Sequence, residues 1–148
     1  MRSLSSWLLL IMLAGGCSCQ KRSLAKREIN FDESYNVSAH YEKHTSIVRV
    51  DVALKDGVHA YAPKETIGKP VRLSIAPDNG WKAVGEPSIP EGTKKSLGSL
   101  GDSYVLSGNF SIVQAVSPGS DGGKAILHLQ VCTDTQCDRP RTLEMPFR

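Results

Sequence analysis

The chain has 148 residues, 18 Lys and Arg against 15 Asp and Glu, and a formal charge of +3. Residues 1–28 hold five of the basic residues and one acid, leaving thirteen basic and fourteen acidic residues beyond them. Such a balance gives no reason to expect nucleic-acid binding, which would need a basic face on the domain, and the length suits one domain.

Residues 1–16 read as an export signal. Arg2 supplies the positive end and Trp7–Leu13 a short apolar run. That run is too short to remain as a membrane-spanning helix. Ala14-Gly15-Gly16-Cys17 resembles the lipobox of bacterial lipoproteins, with Ala14 where Leu is more usual. The resemblance implies cleavage before Cys17 and its lipidation; ordinary signal cleavage is the alternative. Ser18 carries no inner-membrane retention signal, which implies the outer membrane. Cys19 has no assigned role. Residues 17–28 read as a flexible tether, either solvated or touching anionic headgroups through Lys21, Arg22, Lys26 and Arg27.

The remainder, 29–148, reads as β throughout. Val48, Val50, Val52 and Leu54 alternate with Arg49, Asp51 and Ala53, the period of a half-buried strand. Lys55-Asp56-Gly57 marks a turn, and Val58–Tyr61 a short return strand ended by Pro63. Val71, Leu73 and Ile75 alternate before the turn Pro77–Gly80. Trp81 and Val84 are expected in the core. Residues 85–103, with three Gly before Gly101 and two Pro, read as the longest irregular stretch. Further alternation follows at Phe110–Val116, Ala125–Val131 and Leu143–Phe147. Short strands at about ten-residue intervals predict an all-β antiparallel sandwich.

Between the last two of these segments lie Cys132 and Cys137, the only cysteines beyond Cys17 and Cys19. Three readings are open: a redox-active disulfide at a hairpin tip, a structural disulfide, or metal ligation. Closing so short a loop stabilises by roughly 2 kcal/mol, against about 4.7 for a 100-residue loop. A staple would do better between distant strands, and a tight loop favours an exchangeable bond. Arg139 and Arg141 would lower a thiol pKa, while Asp134 and Asp138 would raise it. For metal, His128, Cys132 and Cys137 would need a fourth ligand such as His59 or Asp134, and the spacing matches no common zinc motif. No nucleophile elbow and no Gly-rich strand-to-helix loop is present. No cofactor and no metal is expected.

Lys55-Asp56-Gly57-Val58-His59-Ala60-Tyr61-Ala62-Pro63-Lys64, with the later Leu129-Gln130-Val131-Cys132-Thr133-Asp134-Thr135-Gln136-Cys137-Asp138-Arg139-Pro140, resembles the N-terminal periplasmic domain of the DsbD thiol:disulfide interchange family. The resemblance covers about 30–148. It implies an immunoglobulin-like sandwich whose cysteines take electrons from a membrane reductase and pass them to periplasmic thioredoxin-like partners. It also implies that Cys137 forms the mixed disulfides and that Cys132 resolves them. His59 stands where the family often has an aromatic residue, and either tunes the thiols or lies on the surface. Tyr61 keeps the family's tyrosine. The family's capping loop carries an aromatic residue and acids; Lys94–Leu100 has neither, so Leu97 or Leu100 is an apolar cap or packing filler. The chain ends after the last strand, so the electron donor is expected to be a separate membrane protein. The competing function is a non-catalytic envelope lipoprotein that binds a partner and keeps a structural disulfide.

Overall fold

A computed structural model describes residues 30–65, 67–96 and 101–148. The signal, Cys17, Cys19, the tether, Leu97 and Leu100 lie outside the described residues. The strands are β1 (Tyr35–Glu42), β2 (Ile47–Leu54), β3 (His59–Tyr61), β4 (Arg72–Ile75), β5 (Lys82–Ala83), β6 (Thr93–Ser96), β7 (Asp102–Leu106), β8 (Asn109–Ser117), β9 (Gly123–Leu129), β10 (Val131–Cys132) and β11 (Arg141–Phe147).

They form antiparallel sheets in the orders β1-β2-β8-β5, β10-β3-β7-β6 and β11-β9-β4. β2 and β8 are the inner strands of the first. Val48, Val50, Val52 and Leu54 are buried, while Arg49 and Asp51 face outward. Pairing Val50 with Ile112 of β8 places two fully buried residues side by side. The core joins these to Leu73, Ala125, Leu127, Leu129, Trp81 and Phe147. Trp81 stands edge-on to Tyr41 and Phe147, with ring centroids 4.8 and 4.9 Å away. Its Nε1 donates to the Asp121 carbonyl at 2.6 Å, so its one polar atom is satisfied inside.

Three sequence expectations change. β1 was not anticipated, although Tyr35, Val37, Ala39 and Tyr41 alternate with polar residues and lean on the core. The irregular stretch holds β6 and the start of β7, whose polar side chains hide a paired ladder. Val84 is 55% exposed, not core. It lies three residues from the buried Trp81, and in extended chain an odd offset reverses the face.

The segment Ala125–Val131 is also not one strand. β9 pairs with β11 and β4, but Val131 and Cys132 pair with β3. The change of sheet falls at Gln130. Its Oε1 accepts from the Lys69 N–H at 3.1 Å, and its Nε2 donates to the Asp138 carbonyl at 3.0 Å. That switch moves the chain from the sheet of β9 to that of β3 just before the first cysteine.

Candidate functional site

Cys132 and Cys137 are joined, with Cα atoms 4.0 Å apart, and face each other as an antiparallel bridge. Thr133 builds the turn between them. Its Oγ1 accepts from the N–H groups of Thr135 and Gln136 at 3.3 and 3.1 Å, as short polar turn residues do. The Thr133 N–H donates to the Gln136 carbonyl at 2.7 Å, and Asp138 N–H to the Val131 carbonyl at 2.9 Å. The two sulfurs have unlike surroundings: Cys132 is 0% exposed, whereas Cys137 belongs to the exposed residues.

Strand parity explains the buried half. In β10 and β3, Val131 and Ala60 face the main core. Cys132 and its cross-strand partner His59 therefore share the opposite face. Tyr61, two residues on, lies on that face too and clusters with Cys132 and Val105. His59 is buried, which corrects the surface reading. Its ring stands edge-on to Tyr61, centroids 5.6 Å apart.

The Tyr61 hydroxyl lies 3.8 Å from Cys137 Sγ. Gly68 permits that ring position: a Cβ there would fall 2.0 Å from Tyr61 Cδ2. Burial, then the Glu65 charge, raises the Tyr61 pKa above its ordinary value, so the phenol keeps its proton. Glu65 is itself buried. It accepts from Ser103 Oγ and from the N–H groups of Tyr104 and Ile67 at 2.8 and 2.7 Å.

Of the four flanking charges, Asp134, Asp138 and Arg141 are paired. Asp134 accepts from Lys95 Nζ of β6 at 2.5 Å, and its Oδ1 lies 3.9 Å from His59 Nδ1. Lys95 is the main cause of the lowered Asp134 pKa. Arg141 Nε donates to Asp138 at 2.6 Å, and its Nη1 to Asp32. Burial pushes the Asp138 carboxyl up, but the Arg141 hydrogen bond and neighbouring positive charge bring it below the usual range. Neither Arg141 nor Asp134 is thus a free charge beside the thiols.

His128 does not join the cysteines. It sits on β9, where its Nδ1 is 3.1 Å from Thr142 Oγ1, and the sheet switch at Gln130 separates it from Cys132. Among the described residues, no group of three or more His, Cys, Asp and Glu is placed to hold a metal ion. The apolar cap expected at Leu97 or Leu100 falls outside the described residues. Sequence reasoning missed Glu65, Ser103 and Lys95 as neighbours of the site. No motif marks them: Ser103 and Lys95 arrive through the pairing of β6 with β7, and Glu65 through hydrogen bonds from the loop after β3.

Residues 25–147 match the family model described as thiol:disulfide interchange protein DsbD, N-terminal. The fold is similar to that of the Neisseria meningitidis DsbD N-terminal domain in its reduced form, at TM-score 0.60 and 17% identity, over 80% of this chain and 87% of that one. A second meningococcal structure, a complex of the DsbD and PilB N-terminal domains, matches at TM-score 0.59 and 17% identity, over 82% and 88%. The N-terminal periplasmic domain of Proteus mirabilis ScsB matches at TM-score 0.55 and 16% identity, over 80% of this chain and 48% of that one. The architecture is thus an immunoglobulin-like β-sandwich. A search of curated protein sequences returned no significant match.

Proposed function

The chain belongs to the family of DsbD N-terminal domains, and from that premise we propose that it exchanges thiols and disulfide with periplasmic thioredoxin-like partners through Cys132 and Cys137. The observation that carries this reading is the unequal exposure of the pair, Cys132 at 0% and Cys137 open to solvent. Exchange needs a thiolate to approach a sulfur along the S–S axis, and only Cys137 offers that approach.

In the reduced domain, Cys137 thiolate attacks a partner's disulfide and releases one partner sulfur as thiolate. Cys132 then attacks Cys137 Sγ. The internal disulfide closes, and the second partner sulfur leaves with the electron pair. A membrane-embedded donor reverses these steps to reload the domain. The protonated Tyr61 hydroxyl, 3.8 Å from Cys137 Sγ, donates to the thiolate that departs or attacks there. The meningococcal complex of the DsbD and PilB N-terminal domains supports a protein partner for this chain. The apolar run before Cys17 supports export and a lipid anchor, and Ser18 supports the outer membrane.

Cys132→Ser is expected to hold thioredoxin-like proteins as mixed disulfides through Cys137, and Cys137→Ser to hold none. No trapped partner in the first variant overturns the proposal. The reduction potential is expected above about −250 mV; below about −300 mV the bond is structural.

A further inference from the structure

His59 is 97% buried by its 3% exposure, and its Nε2 has no hydrogen-bond partner among the described residues. Buried polar atoms are almost always paired, so an orphaned ring nitrogen needs a reason. Cys132 lies directly across from His59 on β10, and Tyr61 stands edge-on from β3. Asp134 from the cysteine turn approaches Nδ1 at 3.9 Å, Lys95 of β6 holds that carboxylate, and Val105 of β7 is apolar. Burial, then Lys95, lowers the His59 pKa against the pull of Asp134, so the ring is a neutral base at neutral pH.

Resolution of a mixed disulfide requires Cys132 as thiolate. Its sulfur is fully buried once the pair forms, and burial in apolar surroundings raises a thiol pKa. Directly opposed residues on one face hold Cβ atoms about 4.5–5.5 Å apart, within reach of an imidazole and a thiol. Resting on the exchange function proposed above, we infer that His59 is the proton acceptor for Cys132, with Asp134 and Lys95 as its positioning residues. The Cys132 proton passes to the imidazole of His59, its cross-strand partner. The thiolate attacks Cys137 Sγ, the Cys132–Cys137 bond forms, and the bond from Cys137 to the partner breaks. The partner sulfur leaves as thiolate and takes the proton back from the imidazolium. At 3.9 Å, Asp134 supports that imidazolium by charge rather than by a hydrogen bond. The order thiol, imidazole, carboxylate follows the general logic of an activated nucleophile.

The test uses the full chain with Cys17→Ser and Cys19→Ser, reduced and mixed with 5,5′-dithiobis(2-nitrobenzoate) in a stopped-flow instrument. Attack by Cys137 releases the first thionitrobenzoate; attack by Cys132 on the resulting mixed disulfide releases the second in a unimolecular step. The second rate is expected to level off above pH ~6.5, where a neutral histidine is complete. In His59→Phe it should climb with pH into the thiol range near 8.5. At pH 7 it should be at least about tenfold slower, as loss of a proton acceptor requires, and should converge on the parent rate at high pH. A residue that only packed would change the rates and leave the pH profile alone. His59→Gln repeats the measurement if the phenylalanine does not fold. A parent rate that climbs through the thiol range, or a folded variant that keeps the parent profile, overturns the inference. Absence of any second release in the parent overturns the exchange reading instead.

Discussion

Tyr61 and His59 flank the two sulfurs and carry opposite proton chemistry. Burial, then Glu65, keeps the phenol protonated, while burial, then Lys95, keeps the imidazole neutral. Tyr61→Phe removes the donor beside Cys137. A hydrogen bond of about 1 kcal/mol corresponds to roughly a fivefold slower alkylation of Cys137 at pH 7. The comparison is best made in Cys132→Ser, where Cys137 reports alone. His59 also sets a stability slope. Its folded pKa lies below the unfolded value near 6.5, so its contribution is complete above that value. As pH falls from about 6.5 toward the folded pKa, the unfolded chain takes up a proton that the folded chain refuses, and stability declines. Urea midpoints at pH 7.5 and 5.5 should show this slope in the parent and a shallower one in His59→Phe.

Among the elements, the step from β9 to β10 matters most to the site. Gln130 holds it by bonds to Lys69 and Asp138 at 3.1 and 3.0 Å. Gln130→Ala hands the exposed Lys69 N–H to water and removes the part-buried bond to Asp138, at an expected cost of about 0.5–1.5 kcal/mol. Amide exchange should quicken at Asp138, whose N–H closes the turn onto Val131, and stay unchanged in β2. Uniform quickening in both would place the effect outside this step. Elements with clean alternation were legible: β2, β4, β8, β9 and β11 fall on the expected segments. β1 was equally legible from Tyr35, Val37, Ala39 and Tyr41. β6 was not, since Thr93-Lys94-Lys95-Ser96 carries no apolar face and forms only because β7 supplies the ladder.

For the whole molecule, the main core and the sulfurs are separate. Trp81, Val50, Ile112 and Leu127 belong to one cluster, while Cys132 packs with Tyr61 and Val105 in another. Replacing both Cys132 and Cys137 by Ser is therefore expected to leave a folded protein, destabilised by about 2 kcal/mol for so short a loop. Trp81→Ala should cost about 3–5 kcal/mol, because it empties the centre of the sandwich. Urea denaturation of the two variants ranks them. A larger loss from the cysteine pair would mark the disulfide as a staple.

The β class, the confinement of the cysteine pair to one short loop and the family resemblance were all legible along the chain. Each rests on local spacing: a period of two in the strands, and five positions between the cysteines. Which sulfur is exposed, why His59 is buried and what neutralises Asp134 were decided only by tertiary structure. Those answers depend on pairing residues far apart in sequence, His59 with Cys132 and Lys95 with Asp134. No local pattern encodes them, because the face a side chain presents is set by the register of strands that meet only when the sandwich closes.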